Sequence, residues 1–207
     1  MVDLLICAAT LPELQAFGEA WGDSALLLTG VGIPAALAAM LDVARRKRPK
    51  RILNIGIAGA YPKSGFVVGD IVLGTAEVYG DVGFELQDAP GFRAVSEASW
   101  GEFYRNPLPL TVFPEFAGLT RGRGCTVNTC TGTEATGNLR ERLFEAAFET
   151  MEGAAVAQAG QMLGIPVCEI RAISNIAARR DMQPQNIQLA TDRLREYFSA
   201  CREKHHA

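Results

Sequence analysis

Histidine is almost missing from this 207-residue chain: His205 and His206 stand at its extreme end and there are no others. Chain ends fray, so any chemistry done here must work without imidazole. Cysteine is sparse and odd in number. Cys7, Cys125, Cys130, Cys168 and Cys201 are widely spread, with no CxxC pair and no histidine at metal spacing, so they read as small buried hydrophobes in a reducing compartment. No metal and no cofactor is expected. No apolar run is long enough to span a bilayer, and Met1-Val-Asp-Leu-Leu-Ile enters a strand without the basic region of a signal peptide. We therefore expect a cytoplasmic protein with no membrane partner. The net charge is only -3, which leaves no footprint for nucleic acid. The one basic cluster, Arg45-Arg46-Lys47-Arg48 with Lys50 and Arg51, falls at a predicted helix end, where cations suit the dipole.

What is present is a globular composition, 48% hydrophobic and 21% charged, enough for one domain over residues 1–207 with a substantial core. Asp3 to Ala9 reads as a strand, followed by Thr10-Leu-Pro-Glu13 as a capping box before a helix over Leu14 to Ala20. Ala25 to Leu28 is a second strand. Thr29-Gly-Val-Gly-Ile-Pro34 turns into an Ala-rich helix to about Arg46; its glycines match a dinucleotide fingerprint poorly. Arg51 to Ile57 is a third strand, and Gly56-Ile-Ala-Gly-Ala-Tyr61 reads as a small-residue turn where a ligand can lie against backbone. Gly69 to Gly74 and Glu77 to Gly83 read as two strands separated by glycines. Leu86 to Pro114 is a long loop rich in Pro, Gly and aromatics, among them Phe92, Trp100, Phe103, Tyr104 and Phe113, of the kind that forms a lid or an interface. Gly124 to Thr131 is a strand, with a helix from Thr136 to Ala147. Phe148-Glu-Thr-Met151 is a short strand running into a small-residue helix from Glu152 to Leu163, and Pro184 to Arg202 is the last helix. Strands and helices interleave, which predicts an α/β protein of three layers.

Val167-Cys-Glu-Ile-Arg-Ala-Ile-Ser-Asn-Ile-Ala-Ala-Arg-Arg-Asp181 is the most informative stretch. Its apolar run empties at Ser174-Asn175 into a polar, doubly basic segment. Ligands of α/β sheets sit at the carboxyl ends of strands, which marks Asn175 as a candidate contact. Ser and Asn also end strands simply by bonding nearby backbone.

Two further motifs precede it in order, Asn54-Ile-Gly-Ile-Ala-Gly59 with Val68-Gly-Asp-Ile-Val72 and then Met151-Glu152-Gly-Ala-Ala, and within it stands Arg171-Ala-Ile-Ser-Asn175 with Ala177. Together they resemble the nucleoside phosphorylase and nucleosidase superfamily, in the branch of methylthioadenosine/S-adenosylhomocysteine nucleosidase. Ile57-Ala-Gly-Ala-Tyr-Pro62, Val78-Tyr-Gly-Asp-Val-Gly83, Thr126-Val-Asn-Thr-Cys-Thr-Gly-Thr133 and Ser174-Asn175 with Arg180-Asp181 are similar to the futalosine hydrolases of that branch. The resemblance implies a three-layer α/β/α fold around a central mixed, partly closed sheet, a homodimer or higher homo-oligomer, and a small-molecule nucleoside as partner. It also implies cleavage of futalosine to hypoxanthine on the alternative route to menaquinone.

Breaking a ribosyl N-glycosidic bond leaves positive charge on the sugar and negative charge on the base, and both ends need stabilising. Relatives acting on adenine carry an aspartic acid where this chain has Asn175. An asparagine cannot give a proton, but its NH2 donates to a 6-oxo group or to N7, which points to hypoxanthine. By resemblance Glu152 binds the ribose hydroxyls, Met151 packs beside the ribose, and Glu13 activates water. Ala58, Gly59, Thr131 and Ser174 border the substrate. Each has a plainer reading: Glu152 as a carboxylate at a helix N-terminus, Glu13 as the capping-box glutamate. Arg171 either orients Glu152 or closes a buried ion pair. Arg179 and Arg180 either pair with the benzoate of futalosine or are solvated loop charges. The loops Ala8 to Pro12 and Thr29 to Pro34 hold no Arg or Lys, which favours hydrolysis over phosphorolysis. The alternatives are a nucleosidase for aminodeoxyfutalosine or methylthioadenosine/S-adenosylhomocysteine, and a catalytically inactive purine-nucleoside binding protein.

Overall fold

The computed structural model describes residues 2–19, 21–98, 104, 106–179 and 183–205. In chain order the elements are β1 (Leu4–Ala8), α1 (Leu11–Phe17), β2 (Ser24–Leu28), α2 (Ile33–Lys47), β3 (Arg51–Ala60), β4 (Ile71–Tyr79), β5 (Gly83–Glu85), β6 (Phe92–Ala94), β7 (Leu108–Pro109), β8 (Thr120–Thr126), α3 (Glu134–Phe144), β9 (Phe148–Thr150), α4 (Gly153–Leu163), β10 (Val167–Ile176) and α5 (Pro184–His205).

Strand β1 shows why the layers form. It is apolar at every position and buried throughout, as a strand covered on both faces must be. Leu4, Ile6 and Ala8 pack with Leu14 and Phe17 of α1 and Leu194 and Phe198 of α5. Leu5 and Cys7 point the other way, against Ala36 and Met40 of α2 and Val156 of α4. Alternation of period two sorts one apolar strand into two cores, each of its leucine and isoleucine side chains contributing about 1.5–3 kcal/mol of burial.

The main sheet runs β10-β4-β8-β9-β3-β1-β2, with β7 against β4. β10 pairs with β3 as well as with β4, so β10, β4, β8, β9 and β3 close into a ring from which β1 and β2 extend. Pairing is mixed: β10 lies parallel to β3 and antiparallel to β4, and β9 lies antiparallel to β3 and parallel to β8. The expected mixed, partly closed sheet is the one found.

Several element boundaries move. α1 starts at Leu11, with Pro12 in its first turn, and stops at Gly18 (φ 82°). The expected turn at Gly56–Tyr61 is strand, because β3 continues to Ala60; its glycines admit side chains from neighbouring strands. The two strands expected around Gly74 are one, β4, with a register shift between Gly74 and Glu77. β8 lies four residues earlier than its β-branched run suggested, since parallel pairing with β4 begins at Thr120 and tertiary pairing overrides local propensity. The long loop expected over Leu86 to Pro114 contains β6, which pairs with β5 just before it, and the strand β7; Trp100 and Phe103 lie outside the described residues.

Candidate active site

A cavity of about 520 Å³ opens at one end of the ring, lined from many elements: Thr10 and Glu13 of α1 and its approach, Val31, Ile57 to Gly59 of β3, Cys130 and Thr131 after β8, Glu149 to Glu152, Ser174 and Asn175 of β10, and Ile187 and Thr191 of α5. That volume suits a nucleoside-sized ligand. It brings together Glu13, Ala58, Gly59, Thr131, Met151, Glu152, Ser174 and Asn175, every site residue expected from the sequence except Arg180, which lies outside the described residues. Arg179 is exposed.

Glu13 is only 6% exposed. Its Oε2 accepts from the Thr10 amide at 2.9 Å and the Thr10 hydroxyl at 2.6 Å, so the capping interaction is real. Its Oε1 accepts from the Ile57 amide of β3 at 2.9 Å, which turns the carboxylate toward the cavity. One residue therefore closes a helix start and presents a fixed acceptor to the site.

Glu152 stands at the N-cap of α4 but does not cap it. The Gly153 amide donates instead to the Thr150 hydroxyl at 3.2 Å, and the Ala154 amide to the Thr126 hydroxyl at 2.7 Å. With two of the orphan donors of the helix start satisfied by threonines, Glu152 reaches across to accept from the Gly32 amide at 2.8 Å. Burial raises its carboxyl above the usual range, opposed by Arg171 and by the Gly32 amide.

Asn175 sits beside a β-bulge. Ile173 pairs with Ala58 and Asn175 with Gly59, leaving Ser174 as the extra residue. The Ser174 hydroxyl lies 3.2 Å from the Ala58 carbonyl and donates to the Asn175 amide oxygen at 2.9 Å. The amide NH2 is thereby the end turned over Gly59, 3.0 Å from where a Cβ on that glycine would stand. Any larger residue at 59 would displace it.

Beneath the cavity lies a buried charge cluster. Arg171, 1% exposed, binds Glu169 through Nε at 2.9 Å and Nη2 at 2.7 Å. Asn54 donates to the same Glu169 oxygen at 3.0 Å. Burial alone would lower Arg171, but Glu169, Glu152 and Glu13 together raise it above the ordinary arginine value. It closes an ion pair with Glu169, and its charge acts on both cavity carboxylates. Glu77 accepts from Thr126 at 2.8 Å and Thr150 at 3.2 Å. Burial and the neighbouring Glu169 carboxylate push it well above the usual range. Glycines make the room: a Cβ at Gly56 would meet Arg171 Nη1 at 2.4 Å and Glu13 Oε1 at 2.6 Å, and one at Gly153 would meet Glu77 Oε1 at 2.2 Å.

Sequence reasoning missed Glu149, Thr150 and the Glu77–Glu169 pair, whose partners are distant in the chain. The cysteines behave as small hydrophobes where buried: burial pushes the Cys7 thiol up to about 12 and the Cys168 thiol up to about 11. No helix among the described residues is long and apolar enough to cross a membrane.

The family model of the phosphorylase superfamily matches residues 15–202. A futalosine hydrolase of Thermus thermophilus is 37% identical over 159 residues, 75% of this chain and 70% of that protein. Another from Streptomyces coelicolor is 37% identical over 165 residues, 75% and 68% of the two. Among solved structures, a futalosine hydrolase mutant of Helicobacter pylori superposes with a TM-score of 0.78 over 99% of this chain and 100% of that one, at 17% identity, a likeness of fold. On the matched family model and these relatives, the chain belongs to the phosphorylase superfamily and, within it, to the futalosine hydrolases.

Proposed function

We propose that this one-domain enzyme hydrolyses the N-glycosidic bond of futalosine, releasing hypoxanthine and the dehypoxanthine product on the futalosine route to menaquinone. The observation that carries this reading is the held amide of Asn175: with its oxygen engaged by Ser174, its NH2 is a fixed donor at the cavity wall. A donor satisfies the O6 of hypoxanthine, whereas facing the exocyclic amine of adenine it is mispaired, at a cost of roughly 1–3 kcal/mol.

At the sugar end, Glu152 accepts from the ribose hydroxyls at the oxygen that the Gly32 amide does not occupy, and Met151 packs beside the ring. Glu13 takes a proton from the water that attacks C1′. Its fixed bonds to Thr10 and Ile57 aim it without a change of rotamer, and the remaining lone pair of Oε1 is the acceptor. Arg171 is a positioning residue behind both carboxylates. Ala58, Gly59, Thr131 and Ser174 form the wall at the base, and Arg180 meets the carboxylate of the benzoate end. Water, rather than phosphate, is the nucleophile: the described residues lining the cavity include no Lys, Arg or His, and the Gly32 amide faces a carboxylate. The unpaired thiols agree with a cytoplasmic setting, and a homodimer or higher homo-oligomer is the expected assembly.

The test is release of free base from futalosine, aminodeoxyfutalosine, methylthioadenosine and inosine, with and without phosphate. Hypoxanthine from futalosine, independent of phosphate, is the expected leading activity. Faster adenine release from methylthioadenosine would overturn the base assignment, and phosphate-dependent cleavage of inosine would overturn hydrolysis. Tight nucleoside binding without release would leave a binding protein.

A further inference from the structure

Asn175 is not alone at its end of the cavity. Strand register sets Asn175 of β10 beside Gly59 of β3, and Gly59 beside Glu149 of β9. Residues paired across strands project to the same face, so Glu149 and Asn175 flank a position that has no side chain of its own. Their backbones stand roughly 10 Å apart, two strand spacings. Both residues line the cavity.

Glu149 is 6% exposed, and its bonds are unequal. Oε2 accepts from the Thr131 hydroxyl at 2.5 Å, the Tyr61 hydroxyl at 3.1 Å and Arg140 at 3.0 Å. Oε1 accepts from the Thr131 amide at 2.7 Å, which leaves it acceptor capacity. A carboxylate paired with a guanidinium can only accept. Its charge is offset by Arg140, so it is not left bare beside a base that gains negative charge on leaving.

From this geometry we propose that Glu149 is the second base-reading residue, accepting the ring N1–H of a 6-oxopurine while Asn175 donates to the adjoining oxo group. N1–H is a donor in hypoxanthine, whereas N1 of adenine is an acceptor and would face the carboxylate lone pair to lone pair. The pair thus reads two neighbouring atoms of one base edge with opposite hydrogen-bond polarity. Glu149 is a specificity residue rather than a proton donor. The proposal rests on the 6-oxopurine reading above but not on the identity of the sugar substituent.

Calorimetric titration of the intact protein with hypoxanthine, 1-methylhypoxanthine and adenine tests it. The parent protein should bind hypoxanthine roughly 5- to 150-fold tighter than 1-methylhypoxanthine, the range expected for one mispaired buried polar group, and tighter still than adenine, which mispairs at both residues. In Glu149→Gln the three donors at Oε2 claim the amide oxygen, so NH2 takes the place of Oε1, faces the Thr131 amide and presents a donor to the base. The preference for hypoxanthine over adenine should then collapse by about tenfold or more, and so should that over 1-methylhypoxanthine. A purely structural role would weaken all three bases together and leave their ratios unchanged, which would overturn the proposal. So would equal binding of hypoxanthine and 1-methylhypoxanthine by the parent protein, a result that needs no variant to fold. Selective hypoxanthine binding with no turnover of futalosine would refute the proposed reaction and leave Glu149 in place. No hypoxanthine binding at all would refute both.

Discussion

Replacing Glu13 by glutamine separates its two duties. The carboxylate receives three hydrogen bonds, two from Thr10 and one from the Ile57 amide. A glutamine has one oxygen to offer. With that oxygen toward Thr10, its NH2 faces the Ile57 N–H; turned round, it faces the Thr10 N–H. Either way one backbone donor of a nearly buried group loses its acceptor, at a cost of about 1–3 kcal/mol. For a chain of this size each kcal/mol lowers Tm by roughly 2–4 °C, so the variant should melt several degrees early and still be folded at 25 °C. Turnover should fall much further, by about 10²–10⁴-fold, because an amide cannot take the proton of the attacking water. Thr10→Ala is the control: it removes the hydroxyl donor but leaves the carboxylate, costing about 1 kcal/mol as a cap typically does. Single-turnover release of hypoxanthine and thermal melting are measured on both. If Glu13→Gln keeps its rate within about tenfold of the parent, or Thr10→Ala loses as much rate as it does, Glu13 is a capping residue and the general-base role is wrong.

Asn175→Asp should shift preference toward adenine nucleosides, by roughly 5- to 150-fold in the ratio of kcat/KM values; an unchanged ratio between futalosine and aminodeoxyfutalosine would show that residue 175 does not read the base. Glu152 must be ionised to accept ribose hydroxyls, and burial holds its carboxyl above the ordinary 4.5. As pH falls through that raised value the anion is lost, so kcat/KM should begin to decline at a pH above the ordinary glutamate range, and Glu152→Gln should abolish that limb. The same shift means the fold binds this proton more tightly than the unfolded chain does: the stability it contributes is full below 4.5 and lost as pH rises through the folded value. Glu77, pushed well above its usual range, is replaced by a neutral isostere in Glu77→Gln, which should leave Tm nearly unchanged. Glu169→Gln strips Arg171 of its ion-pair partner and should cost about 3–5 kcal/mol; equal melting of the two variants would contradict this assignment of charge.

The parts of the site that could be read from the chain are those whose signal is local. The apolar run of β1, the glutamate three residues after Thr10, and Met151-Glu152 at the start of a small-residue helix are each visible within a short window. Glu149 was not. Its partners are 18, 88 and 9 residues away, and in sequence it is one polar residue in a short strand. The glycines misled for a related reason. Gly56 and Gly59 look like a turn because glycine commonly makes turns, yet they lie in a strand and yield their side-chain space to Arg171 and Asn175. Such a demand comes from β10, more than a hundred residues later, and leaves no local mark. Glu77 and Glu169 read as ordinary strand residues for the same reason. Their burial is tolerated only because Asn54, Thr126, Thr150 and Arg171 meet around them.

The ring is closed late. β10 seals it between β3 and β4, and among the described residues it is the last strand in chain order. Until Val167 to Ile176 emerges from the ribosome, the nascent chain carries two long strands whose inner edges have no partner, an invitation to pair with a neighbouring chain. Premature termination before Val167 should therefore yield an aggregating product rather than a smaller soluble one, so the survival of the preceding sheet depends on the segment that carries β10.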